Sequence, residues 1–273
     1  AEQALIAAAA VRYRCEPHQL VAAPGTQALI QILPHLVPRS RVAIVGPTYA
    51  EHELNWHRHD HDVAIVPSLD AADADVVVVV NPDNPTGRLL PTEALRGVAA
   101  RLLIVDEAFV DLLPDEASLA GKLPSNGIVL RSFGKVYGLA GLRLGFAIAS
   151  APLAQRLREE LGPWAVSGPA LAIGAAALAD DAWLRAAAAR LVVDARKLDA
   201  LLVSGGFTVL GGTPLFRLAS HPKAHEKVED LARQGIHVRA FGHQPTWLRF
   251  GLPHGDEEFR RLSAALQVPQ KVR

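Results

Sequence analysis

Val76-Val77-Val78-Val79-Val80-Asn81-Pro82-Asp83-Asn84 joins an unbroken β-branched run to a polar loop. Branching at Cβ disfavours a helix and fits a pleated strand, and a run that is apolar at every position leaves no face for water. Such a strand is buried on both sides, as in parallel sheets covered by helices. Arg41–Val45, residues 63–66, Leu102–Asp106 and residues 128–132 read the same way, and helical spacing falls between them over 26–36, 49–58 and 92–101. The expectation is an α/β fold, a mostly parallel sheet sandwiched by helices. Ligands in such sheets gather beyond the C-terminal ends of strands. Three consecutive ends are polar here: Asn81-Pro82-Asp83-Asn84, Asp106, and Ser132-Phe133-Gly134-Lys135.

Past residue 151 the pattern changes. Helical stretches at 152–161 and 170–202 precede strand 214–218, helix 224–234, strands 236–239 and 247–250, and helix 256–266. This order predicts a second, smaller α+β domain, with residues 1–158 forming the large domain and 159–273 the small one with its connecting helix. Lys+Arg and Asp+Glu both number 28 in 273 residues, so neither a nucleic-acid-binding surface nor an acidic tail is indicated. No apolar stretch is long enough to span a membrane. One cysteine, Cys15, excludes an internal disulfide and fits a reducing compartment, and no charged-then-apolar leader is visible at the start of the sequence, so a cytoplasmic location is expected. The chain starts at Ala1 and contains no methionine, from which we expect a longer natural chain with an N-terminal arm and methionines absent here.

Lys135 follows an apolar strand and precedes a glycine-rich stretch, 138–145, that contains Arg143. A lysine amine becomes nucleophilic when burial and nearby cations depress its pKa, and it then attacks an aldehyde. Ser132 before it and Arg143 after it supply an anion site beside the amine. Asp106 ends a buried strand, where a carboxylate needs a partner. The protonated ring nitrogen of pyridoxal phosphate is one, and its aldehyde and phosphate match the lysine and the anion site. Pro24-Gly25-Thr26-Gln27 opens a helix, as a turn with an N-cap threonine or as a site whose amides face an anion. The two asparagines of the 81–87 loop suit hydrogen bonding to a neutral or phenolic oxygen.

Together, Pro24–Gln27, Pro47-Thr48-Tyr49, 81–87, Asp106-Glu107-Ala108, Ser132–Lys135 and Gly141-Leu142-Arg143-Leu144-Gly145 resemble the class I/II branch of fold-type-I pyridoxal-phosphate enzymes over essentially the whole chain. Within it, the nearest group holds histidinol-phosphate aminotransferases and the threonine-phosphate decarboxylases of cobalamin biosynthesis; 22–31, 105–120 and 130–149 resemble the latter. The resemblance implies that Lys135 holds the cofactor covalently, Asp106 pairs with its ring nitrogen, Asn84 donates to its phenolic oxygen and Tyr49 stacks on its ring. Gly25, Thr26, Gln27, Ser132 and Arg143 would bind its phosphate. Arg249 and Arg239, with Asn84, would hold a phosphorylated amino acid. It also implies a homodimer and a cis bond at Asn84–Pro85. Two positions depart from the pattern: Phe109 stands where many of these aminotransferases have tyrosine, which suits the decarboxylase, and Gly134 replaces a hydroxyl residue often found before the lysine.

The implied reaction is loss of the carboxylate from L-threonine O-3-phosphate, giving (R)-1-amino-2-propanol phosphate; transfer of an amino group is the alternative. Which bond breaks depends on which one the anchoring groups hold upright to the ring. Ser132-x-x-Lys135 also matches a serine–lysine hydrolase motif, but the companion Ser-Asp-Asn and Lys-Thr-Gly motifs do not occur. His52, His57, His59 and His61 are read as a solvated loop rather than a metal site. A binding protein that retains the fold without catalysis is the remaining class.

Overall fold

The computed structural model describes residues 1–267. Its first sheet contains β1 (Leu20–Ala23), β2 (Arg41–Val45), β3 (Asp62–Val66), β4 (Val76–Val80), β5 (Leu102–Asp106), β6 (Gly127–Ser132) and β7 (Gly145–Ala149). They lie in the order β1-β7-β6-β5-β4-β2-β3. The pairings from β3 through β6 are parallel, and β7 runs antiparallel to both β6 and β1. The five valines of β4 are all buried, as a strand in mid-sheet requires. β3 is apolar in sequence but lies at the sheet edge, where Ile65 is 46% exposed.

The accompanying helices are α1 (Glu2–Tyr13), α2 (Thr26–Ile32), α3 (Ala50–Arg58), α4 (Thr92–Arg96), α5 (Ala151–Leu161), α6 (Gly168–Ala179) and α7 (Asp181–Ser204). Leu29 and Leu33 and the fully buried Trp56 pack with Ile44, Val78, Ile104 and Ile128 of one sheet face. Val77, Leu103 and Val129 on the other face are equally excluded from water. The helix expected over 92–101 stops at Arg96, where Gly97 caps it. The long helix expected over 170–202 is two helices. Asp180 interrupts it, and its carboxylate accepts from the Trp183 N–H at 2.9 Å, which caps the first turn of α7. The cis peptide bonds among the described residues are Gly46–Pro47 and Asn81–Pro82, so the one expected at Asn84–Pro85 is displaced to the start of the same loop.

The chain forms two compact units, Ala1–Asn84 with Leu89–Leu184, and Pro85–Arg88 with the chain from Arg185 onward. The division falls within α7, whereas the one expected at 158–159 falls within α5. In the second unit, β8 (Thr208–Thr213), β9 (Phe216–Ser220), β10 (Arg239–Phe241) and β11 (Gln244–Gly251) form an antiparallel sheet in the order β10-β11-β9-β8. The strand expected from residue 214 starts at Phe216, because residues 213–215 turn between β8 and β9. With α8 (Ala224–Arg233) and α9 (Gly255–Gln267), this sheet encloses Leu198, Leu202, Phe207, Phe250, Phe259 and Leu262.

One buried ionic cluster ties the ends of β5 and β6 together. Arg131 donates to Glu107 at 3.2 Å, to Asp111, and to the Ser118 hydroxyl at 3.1 Å, and its guanidinium lies 4.5 Å over the Tyr13 ring. The side chains of Arg131, Glu107 and Asp111 are 5%, 0% and 2% exposed. Removing one partner of a buried ion pair leaves a charge without compensation. Arg131→Met is therefore expected to cost about 3–5 kcal/mol in urea unfolding, because two buried carboxylates lose their counter-ion.

Candidate active site

Gly25 precedes α2 with φ +86°, a backbone region favourable only to glycine. A Cβ there would lie 2.7 Å from Nη2 of Arg143, so the missing side chain is what lets the guanidinium close over the chain. Gly145, the first residue of β7, is as constrained: a Cβ on it would meet the Thr26 nitrogen at 2.6 Å. The start of α2, Arg143 and the end of β6 thus converge in one concave cup. Gly134 has its own steric reason, since a Cβ there would come 3.0 Å from Cα of Ala140. The turn at 140–142 occupies the space a hydroxyl residue would need.

Asp106 ends β5 at 4% exposure. One carboxylate oxygen accepts from the Ala108 N–H at 3.2 Å and the other lies 3.0 Å from Nε2 of His52. A carboxylate accepts, so His52 donates from Nε2; its Nδ1 is buried without a hydrogen-bond partner among the described residues. Contrary to the expectation of a solvated histidine loop, His52 is fully buried on α3 and His61 is 6% exposed. His61 accepts from the Ser40 N–H and donates to the Pro34 carbonyl, both at 3.2 Å. Only its helical position, three residues after Tyr49, could have indicated that His52 faces the sheet.

Tyr49 is 39% exposed, and its ring stands edge-on to His52 with centroids 6.2 Å apart. Burial pushes its phenol pKa up, and the carboxylates of Glu51 and Asp106 add to the effect. Gln27 donates its side-chain amide to Glu51 at 2.7 Å. Asn81 closes the base of its loop, accepting from the Leu90 N–H at 2.7 Å and donating to the Leu90 carbonyl at 3.2 Å. Of the two asparagines, Asn84 is the one that reaches the site. Lys135 is exposed rather than buried, with Nζ 5.5 Å from the centroid of Phe109.

Gly25, Thr26, Gln27, Tyr49, Asn84, Asp106, Ser132, Lys135 and Arg143 all line a single cavity of about 300 Å³. A larger cavity of about 640 Å³, beside Arg158 and Trp164, holds none of these residues. Arg239 and Arg249 lie in the second unit, directly opposite each other on β10 and β11. The Arg249 guanidinium sits 5.3 Å over the Phe216 ring; burial lowers its pKa and the Arg239 charge lowers it further. Two cations at one register position repel unless an anion lies between them.

An amine, a glycine-rich cup closed by arginine, a buried carboxylate and a flanking aromatic ring define a site for a phosphorylated aromatic aldehyde with a basic ring nitrogen. The sequence profile of the Aminotransferase class I and II family matches residues 2–266, and the chain belongs to that family. It is 46% identical to a threonine-phosphate decarboxylase of Sinorhizobium sp, over 95% of this chain and 80% of that protein. It is 40% identical to the threonine-phosphate decarboxylase of Pseudomonas aeruginosa, over 97% of this chain and 82% of that protein. Histidinol-phosphate aminotransferase from Sinorhizobium meliloti, solved in complex with pyridoxal-5'-phosphate, superposes with a TM-score of 0.82 at 25% identity, covering 97% of this chain and 80% of that one.

The donor set fits pyridoxal 5'-phosphate, and Gly25 gives the sharpest test of the cup. Gly25→Ala combines a strained φ with a clash against Arg143. It is expected to raise the dissociation constant for pyridoxal 5'-phosphate about tenfold, or about 1.4 kcal/mol, in equilibrium dialysis.

Proposed function

We propose that this chain is a pyridoxal 5'-phosphate-dependent carboxy-lyase that converts L-threonine O-3-phosphate to (R)-1-amino-2-propanol phosphate and carbon dioxide, a step in cobalamin biosynthesis. The observation that carries the reading is the 46% identity to a threonine-phosphate decarboxylase over nearly the full chain. The gathering of nine matching residues around one cavity supports the cofactor part of that reading. Bound pyridoxal 5'-phosphate supplies an electron sink for the pair released when a bond to the substrate's α-carbon breaks.

The protein's own residues bind and orient. Lys135 presents its amine to the aldehyde from the turn after β6. Asp106, held by His52 and the Ala108 N–H, would accept a hydrogen bond from the ring N–H and so keep the proton on that nitrogen. The backbone at Gly25, Thr26 and Gln27, the Ser132 hydroxyl and Arg143 bind the phosphate. The Gln27 side chain is already engaged with Glu51, so its main-chain N–H makes that contact. Tyr49 flanks the ring and Asn84 donates to the phenolic oxygen. Arg249, with Arg239 opposite it on the neighbouring strand, would take an anionic group of the substrate. Phe109 offers no hydroxyl near Lys135, which leaves the phenolic oxygen to Asn84 alone. The same reading carries a homodimer in the cytoplasm, with a large cofactor domain and a smaller C-terminal one.

Carbon dioxide release from L-threonine O-3-phosphate, measured beside amino transfer from glutamate, tests the reaction; amino transfer without decarboxylation would reverse the assignment. Lys135→Ala is expected to abolish turnover, a loss of at least about a thousandfold in kcat. Arg249→Ala is expected to raise KM by about tenfold to a hundredfold with a smaller change in kcat, as loss of a charged anchor predicts.

A further inference from the structure

We propose that Thr48 and Asp83 form a positioning pair that sets the distance between the aromatic wall of the active site and its asparagine; the inference rests on the reading above that Tyr49 and Asn84 contact the bound cofactor. β2 and β4 are neighbours in the sheet, with Ile44 opposite Val78. Each strand ends in a short loop, and each loop delivers one residue to the cavity: Tyr49 after β2, Asn84 after β4. The residue immediately before each of them makes the link. Thr48 Oγ1 donates to Asp83 Oδ1 at 2.6 Å. Bonds of this length to a carboxylate are charge-assisted and roughly twice as strong as neutral ones. Asp83 is 2% exposed, so water does not compete for that oxygen as it would at the surface.

Thr48 and Asp83 themselves do not line the cavity, whereas their successors do. Backbone geometry couples adjacent residues, so a bond that locks Thr48 to Asp83 also locks the Cα separation of Tyr49 and Asn84. Tyr49 is more than a third exposed; its ring stands edge-on to His52, and its hydroxyl makes a long contact of 3.5 Å to Gln27. Its placement therefore depends on its backbone. The pair holds the stacking ring and the phenolic-oxygen donor in one arrangement before the cofactor enters.

The test uses Thr48→Val, which keeps the side-chain shape and removes the hydroxyl, with Thr48→Ser as the conservative rescue and Asn84→Ala as reference. Two quantities are read on the full-length protein without substrate. They are the dissociation constant for pyridoxal 5'-phosphate and the pH midpoint of the bound cofactor's visible absorption band. A donor to the phenolic oxygen stabilises it without the proton it shares with the neighbouring nitrogen; when that donor is misplaced the proton is held more tightly and the midpoint rises. Thr48→Val is expected to weaken cofactor binding about fivefold to tenfold and to raise the midpoint in the same direction as Asn84→Ala, and Thr48→Ser is expected to restore both. A Thr48→Val protein with the parent's binding and midpoint overturns the pair while Asn84→Ala still shifts both. A lower melting temperature with an unmoved midpoint also overturns it. If Asn84→Ala moves neither quantity, the reading of Asn84 falls, and the pair falls with it. Should Thr48→Val fail to fold, Asp83→Asn carries the test, since it keeps an acceptor but removes the charge; no shift there overturns the pair.

Discussion

A carboxylate almost out of reach of water at the end of a parallel strand is the constraint around which the site is organised. A carboxylate buried there needs hydrogen-bond donors. The chain supplies two: the amide two residues on, and an imidazole from α3. That second donor fixes α3 against the sheet, and with α3 come Tyr49 at its start and Glu51 in its first turn. The carboxylate also lines the cavity, and in the proposed function it would take the ring nitrogen of the cofactor as a further partner. Local electrostatic need and cofactor recognition are one requirement in this place.

The two faces of the sheet divide the work. Successive residues of a strand point to opposite sides, so Asp106 and Ser132 share the cavity side while Glu107 and Arg131 share the other. On the far side, guanidinium, carboxylates and the Tyr13 ring hold the β5 and β6 ends together. On the near side, the same strand ends present the chemistry. The glycines serve the near side: two missing Cβ atoms bring a helix start, a strand start and Arg143 within contact distance.

Much of this was legible in the sequence, for identifiable reasons. The central strands announce themselves because burial on both faces requires apolar residues throughout, and polar residues at their ends stand out by contrast. All nine cofactor residues expected from their motifs line one cavity. What escaped reading depends on partners distant in the chain. β1 and β7 are short and rich in small residues, and β8 contains Gly211 and Gly212, so no periodic signal separates them from loops. His52 looked solvated because nothing nearby reveals that a buried acid 54 residues later will face it. The break at Asp180 was hidden inside an alanine-rich stretch, where one capping side chain outweighs the propensity of its neighbours. Of the two asparagines the resemblance singled out Asn84, and it is Asn84 that lines the cavity, while Asn81 spends its amide on the loop base.

The antiparallel pairing of β1 with β7 has a consequence for biosynthesis. Leu20 meets Ile148 across roughly 130 residues of intervening chain, one of the slowest kinds of closure because its entropic cost comes before any contact rewards it. Thr26 follows β1 and Gly145 opens β7, so the anion cup has no floor until β7 has left the ribosome and docked. A nascent chain bearing every earlier strand would still lack the close approach of Gly145 to Thr26 that shapes the cup.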